Sequence, residues 1–168
     1  LAALEAMHQS GISHLDVKPS NVILRESTGT AVLVDFGLSG RNIRPGCATL
    51  CYGSPEIWET APGEPAPGPA AAADVYAFGC LAYEMLLART LFDGNSDMAI
   101  ITAHITHDGL PPGVSELAQS SQLQPLASLL HQTLRYTPRN RTSIAELRRE
   151  LRKLRPMLDQ QPWPLTVR

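Results

Sequence analysis

The stretch from Asp74 to about Arg89 limits the possible folds more than any other part of this chain. Val75, Phe78, Leu81, Ala82, Met85 and Leu86 recur at helical spacing and leave little polar face. A helix that is apolar on most of its circumference has to be wrapped by other elements. The fold is therefore expected to be built around this helix, with Asp74 opening it.

The flanking segments supply the wrapping. Leu1, Leu4 and His8 repeat at helical spacing and Gly11 ends the pattern, so a helix is expected over Leu1 to Gln9. Asn21–Leu24 and Ala31–Val34 read as short strands joined by the polar turn Arg25–Thr30, which contains Gly29. No period is visible from Gly37 to Glu59, and the aromatic and apolar residues kept there predict an ordered loop. Ala61 to Ala73 is a Pro/Ala/Gly stretch, expected to be a flexible surface insertion. Further helices are expected from about Ser96 to Ile105, along Leu123, Leu126, Leu129, Leu130 and Leu134, and from Ser143 onward. Ser143 and Glu146 have capping-box spacing. Ile144, Leu147, Leu151 and Leu154 form the inner stripe of that last helix, against an Arg/Lys-rich face expected to be solvated. No internal repeat is visible. The fold class that follows is mainly α with a small β-hairpin region.

Length and charge narrow the function. A chain of 168 residues is one domain or part of one. A formal net charge of -2 argues against a general nucleic-acid or anionic-membrane binder. No apolar run reaches the roughly 18 residues needed to span a bilayer, and there is no secretory signal pattern. A charged fraction of 18% is low for a free surface, so part of it is expected to meet another part of a protein. The first residue is Leu1, so the natural start is expected to lie upstream. Cys47, Cys51 and Cys80 are odd in number and lack a framework, which predicts a reducing, cytoplasmic setting. Cys47 and Cys51 have no second pair at zinc-site spacing and are expected to be incidental loop thiols. Cys80 is expected in the core, and His104 and His107 on a helix surface.

The chemistry is concentrated near the start. His14-Leu15-Asp16-Val17-Lys18-Pro19-Ser20-Asn21 is followed by Asp35-Phe36-Gly37. Together they supply a proton acceptor, a cation and two hard metal-binding oxygens. Phosphoryl transfer from a metal-bound nucleotide needs those parts.

These residues resemble the C-terminal lobe of a eukaryotic-type Ser/Thr protein kinase. The family pattern is HRDLxxxN, then DFG, then APE. Here it stands as His14-Leu15-Asp16 with Asn21, Asp35-Phe36-Gly37, and Ser54-Pro55-Glu56. Asp74-Val75-Tyr76-Ala77-Phe78-Gly79 resembles the DxWxxG helix, and Thr137-Pro138-Arg139-Asn140-Arg141 the segment that pairs an Arg with the APE Glu. The likeness runs from Leu1 to about Leu154. It implies a kinase C-lobe over 1–155, an insertion at 61–73 and a tail at 156–168.

The resemblance also assigns roles. Asp16 would orient or accept the proton of the attacking hydroxyl, and Lys18 would hold a cation beside the transferring phosphoryl group. Asn21 and Asp35 would bind Mg²⁺ for ATP, with Ile23 as a floor for the adenine. Thr49 would place its hydroxyl near Asp16 and Lys18. Asp74 would hold the catalytic-loop backbone, with an N-cap role also open to it. Glu56 and Arg141 would form a buried structural pair. Lys18 and the segment Ala48-Thr49-Leu50-Cys51-Tyr52 belong to the Ser/Thr pattern, so the acceptor would be a protein Ser or Thr. A non-catalytic scaffold lobe is the alternative, and a small-molecule phosphotransferase a third reading.

Several positions depart from the pattern. Leu15 stands where the family usually has the Arg that pairs with a phosphorylated loop residue. The segment from Gly37 to Glu56 offers only Ser39, Thr49, Tyr52 and Ser54 as hydroxyls, so activity independent of loop phosphorylation is expected. Leu at this position fits Mos-like or Myt-like kinases, and the later helices fit a bacterial Ser/Thr kinase equally well. Ser20 replaces the Glu of many base-directed kinases, and Glu84 could face a basic substrate residue or act structurally. The Gly-rich loop, the strand Lys and its partner Glu are absent from this sequence. The missing N-lobe is therefore an expected partner, and the lobe alone is expected to bind ATP weakly.

Overall fold

The computed structural model describes residues 1–165. Its elements in chain order are α1 (Ala2–Gln9), β1 (Val22–Arg25), β2 (Thr30–Leu33), α2 (Pro55–Glu59), α3 (Ala71–Leu87), α4 (Asp97–Ile105), α5 (Pro112–Gln119), α6 (Gln124–Thr133) and α7 (Ile144–Leu158). Helix dominates, and β1 and β2 form a two-stranded antiparallel sheet with Ile23 opposite Val32. Gly29 sits in the left-handed region at φ 64° and closes the turn, its N–H donating to Arg25 O at 2.8 Å.

Helix α3 is the axis of the molecule, as its composition requires. On one side Tyr76, Cys80, Tyr83 and Leu86 pack against Val114 and Leu117 of α5 and Leu126 and Leu130 of α6. On the other, Val75, Ala77 and Leu81 meet Leu4 of α1, Leu129 of α6, and Ile144 and Leu147 of α7. Helix α7 carries the expected capping box, Ser143 Oγ accepting from Glu146 N and Glu146 accepting from Ser143 N. After α7 the chain returns to the core, where Leu165 N–H donates to Leu86 O at 2.7 Å.

Three expectations need correction. Helix α3 begins at Ala71, not Asp74. Ala71–Ala73 are strong helix formers, and Ala72 and Ala73 are buried, so they form the first turn rather than the end of an insertion. Asp74 is consequently inside the helix and is not its N-cap. Second, α2 and α5 were not anticipated. The five residues of α2 barely exceed one turn, and α5 buries only Val114 and Leu117, too few for a visible period. Third, His104 is not on the surface.

His104 is fully buried (0% exposed), with Nδ1 2.8 Å from the Tyr76 hydroxyl and its ring edge-on to Phe92 at 4.7 Å between centroids. Tyr76 gives its imidazole a polar partner, which makes burial tolerable. Burial, helped by neighbouring His107, pushes the His104 pKa down to about 3. His107 is half-buried, with Nε2 3.0 Å from the same hydroxyl, and burial lowers it to about 4. All three cysteines are free, and Cys80 is buried as expected. Among the described residues no group of three or more His, Cys, Asp or Glu is arranged to hold a metal, and no helix is long and apolar enough to cross a membrane.

Candidate active site

The loop from Ser10 to Asn21 is held from below by one buried carboxylate. Asp74 is 0% exposed, and its two oxygens accept from His14 N and Leu15 N, each at 2.7 Å. His8 Nε2 of α1 lies 2.8 Å from Oδ2. These bonds hold Leu15 at φ 65°, in the left-handed region. That conformation costs a non-glycine residue on the order of 1–3 kcal/mol, and the paired backbone bonds to Asp74 offset it.

Two further ties fix the loop against the segment that follows β2 and carries Asp35. Ser13 and Gly40 exchange backbone bonds at 2.8 and 3.0 Å, and Val34 N–H donates to Asn21 O at 2.9 Å. His14 works on both sides. Asp16 N–H donates to its Nδ1 at 3.3 Å, so Nε2 carries the proton and donates to Val34 O at 3.1 Å. Its ring lies 5.4 Å from that of Phe36.

This frame brings four of the expected residues into one network. Thr49 Oγ1 donates to Asp16 Oδ1 at 2.8 Å. Lys18 Nζ reaches Asp16 Oδ2 at 2.8 Å and donates to Thr49 Oγ1 at 2.9 Å. Asn21 Nδ2 donates to Asp16 Oδ2 at 3.0 Å and to Asp16 O at 2.9 Å. Partial burial would raise the Asp16 carboxyl. The hydrogen bond and charge of Lys18, with the bonds from Thr49 and Asn21, outweigh it and hold the pKa below the ordinary carboxylate value.

Asp35 follows the Val34–Asn21 tie, at φ 62°, with Oδ1 accepting from Gly37 N at 3.2 Å. It is exposed and outside the Asp16 network. A Cβ on Gly37 would lie 3.2 Å from that same Oδ1 and would press on the Asp35 carboxylate. Ile23 stands 55% exposed on β1.

Glu56 and Arg141 meet outside this network. Arg141 Nη1 and Nη2 donate to Glu56 Oε1 and Oε2 at 2.7 and 2.8 Å. Glu84 receives the Tyr52 hydroxyl, which binds it to the loop below the site. The Tyr52–Glu84 and His8–Asp74 links went unread in the sequence. Neither has a local signal, since both join residues far apart in the chain.

Comparison with known proteins gives the family. The protein kinase domain model matches residues 1–151. The chain is 30% identical to the probable serine/threonine-protein kinase PknB of Corynebacterium glutamicum over 90% of its own length and 24% of the relative's. It is 33% identical to serine/threonine-protein kinase PknB of Mycobacterium tuberculosis, over 89% of its length and 24% of the relative's. It is 34% identical to serine/threonine-protein kinase PkaB of Streptomyces coelicolor, over 92% and 37%. The chain thus spans about a quarter to two fifths of the length of these relatives. With the family match covering most of its residues, the chain belongs to the protein kinase family.

Proposed function

We propose that residues 1–155 are the C-terminal lobe of a kinase that transfers the γ-phosphoryl group of ATP to Ser and Thr hydroxyls of proteins. In this reading 61–70 is an insertion that ends where α3 begins, 156–168 a tail, and the N-terminal lobe comes from chain outside these residues. One observation carries the proposal. The Asp16 carboxylate already accepts a hydroxyl proton, from Thr49, with the Lys18 ammonium touching both groups. A protein-borne acceptor hydroxyl would need the same partners.

The low Asp16 pKa keeps the carboxylate ionised at neutral pH, so it orients the acceptor O–H from the outset. A weak base of this kind takes the proton late, as the oxygen bonds to phosphorus. Lys18 holds a positive charge against the carboxylate and beside the place where phosphoryl charge would gather. Thr49 keeps the Asp16 carboxylate in one rotamer.

The donor set suits Mg²⁺. The Asn21 amide nitrogen is engaged by Asp16, while its carbonyl oxygen has no protein donor among the described residues, and Asp35 offers an exposed carboxylate. Mg²⁺ is ordinarily held by one or two protein oxygens plus phosphates and water, so two ligands without a full protein cage fit it. Asn21 and Asp35 would hold the ion, which would supply positive charge against that of the phosphates. Ile23 would floor the adenine. Ile23 and Phe36, 55% and 56% exposed, give apolar surface that a second lobe would cover. The lobe by itself is expected to be inactive. A cytoplasmic setting agrees with the three free thiols.

The test is phosphate transfer from ATP to a generic protein substrate by the intact protein and its Asp16→Asn variant. A fall of at least about 10³-fold is expected, since both orientation and proton acceptance are lost. Equal rates would overturn the reading and favour a scaffold lobe.

A further inference from the structure

Leu15 stands where a cation would otherwise anchor the segment from Gly37 to Glu56. Its side chain is 8% exposed and clusters with Ile57 of α2 and Ala73 of α3. Leu38, Ile43, Ala48 and Trp58 pack against that cluster. Three of these, Leu38, Ile43 and Ala48, belong to the segment itself. The cluster therefore ties the catalytic loop, the segment and two helices together through apolar contacts.

Its reach extends to the reacting groups. Ala48 precedes Thr49, the residue that donates to Asp16. Trp58 closes on Gly53, donating from Nε1 to Gly53 O at 3.0 Å, and a Cβ at Gly53 would lie 2.2 Å from the indole. Gly46 N–H donates to Ile57 O at 2.8 Å, tying the middle of the segment to α2. The backbone of Leu15 is fixed by Asp74, so its side chain has a rigid base.

We propose that Leu15 is a positioning residue. Through Ile43 and Ala48 it forms an apolar clasp that orders the segment and holds the Thr49 hydroxyl on Asp16, without phosphorylation. This rests on the kinase reading for the meaning of Asp16 and Thr49, but the clasp is a physical claim of its own. Apolar contact is not screened by salt, whereas an Arg–phosphate anchor is. An arginine at position 15 would not restore order. Asp16, the next residue in the chain, and Glu56, which precedes Ile57, are already paired with Lys18 and Arg141, and the guanidinium would displace apolar neighbours.

The test is hydrogen exchange on the intact protein, followed residue by residue over 41–49. Leu15→Ala is expected to speed exchange there by about 10-fold or more, with α3 and α6 still protected. Leu15→Met should restore protection, because Met fills a similar volume. Ile43→Ala should produce the same local loosening from the segment side, which guards against a folding defect at position 15. In transfer assays Leu15→Ala should lower kcat on the order of 10- to 100-fold with KM for ATP little changed. Phosphatase treatment and 0.5 M salt (roughly a 4 Å screening length) should leave wild-type exchange over 41–49 unchanged. Unchanged exchange in both alanine variants would overturn the clasp, as would protection that disappears on phosphatase treatment. An inactive wild type with the expected exchange pattern would remove the kinase reading and still support the clasp.

Discussion

Removing Arg141 should damage this fold more than removing its partner Glu56. All five guanidinium N–H groups are matched. Two donate to Glu56 at 2.7 and 2.8 Å, and the others to Arg135 O at 2.7 Å, Ala72 O at 3.0 Å and Tyr136 O at 2.9 Å. The guanidinium carbon also lies 4.9 Å from the centroid of the Tyr76 ring. Arg141→Met keeps much of the stem volume but leaves both Glu56 oxygens buried without a donor. Breaking a buried pair in this way costs about 3–5 kcal/mol. Three backbone carbonyls lose a donor as well, so the upper half of that range is expected. Glu56→Gln is milder. The amide oxygen still accepts one bond, and Arg141 keeps three carbonyls and a ring face, so about 1–3 kcal/mol is expected.

Urea unfolding followed by circular dichroism measures both losses. For a chain of this size, about 2–4 °C of melting temperature per kcal/mol puts the Arg141→Met shift at roughly 8–20 °C. The double variant should be more stable than additivity predicts by at least about 1 kcal/mol, because the orphaned charge is gone. Equal losses from the two single variants would refute the reasoning, since the asymmetry comes from the three carbonyls and the Tyr76 ring. So would a loss below about 1 kcal/mol for Arg141→Met.

Acid stability should carry the signature of two neutral histidines, His104 buried and His107 half-buried. The folded pKa values, about 3 for His104 and about 4 for His107, lie below the unfolded value, so the unfolded chain takes up protons first as pH falls. Stability is then lost between about pH 6.5 and pH 4, on the order of 3 kcal/mol for His104 alone. His104→Gln should flatten the stability–pH slope in that window, and an unchanged slope would count against a neutral buried imidazole. Lys18→Met should raise the acid limb of the transfer rate toward the ordinary carboxylate range, because Asp16 loses its strongest opposing charge. The pH–rate profile of the variant reads this, and an unmoved limb would exclude Lys18 as the cause of the low pKa.

What the sequence made legible follows from periodicity and local chemistry. The apolar circumference of α3, the stripe of α7 and the Ser143–Glu146 box each lie within a few residues of one another, so spacing alone announces them. Helix α2 is too short to show a period. The burial of His104 depends on Tyr76, which lies 28 positions earlier and supplies the polar partner. The meeting of Thr49 with Asp16 spans 33 positions and is invisible to any local rule. It was expected only because the ordered motifs resemble a known family.

Leu15 shows where resemblance stops helping. The family pattern says what this position lacks, a cation, and so identifies a contact that the chain cannot make. It says nothing about what the leucine touches. That required Ile57 and Ala73 from two helices and Ile43 and Ala48 from the segment, all brought together by the fold. The same backbone position is set by Asp74 in either case, since its bonds go to main-chain N–H groups that every residue but proline would offer at 14 and 15. Asp74 thus fixes where the side chain at position 15 points, and the side chain determines whether charge or apolar contact orders the loop above it. A substitution there changes how the segment is held while leaving the Asp16 scaffold in place.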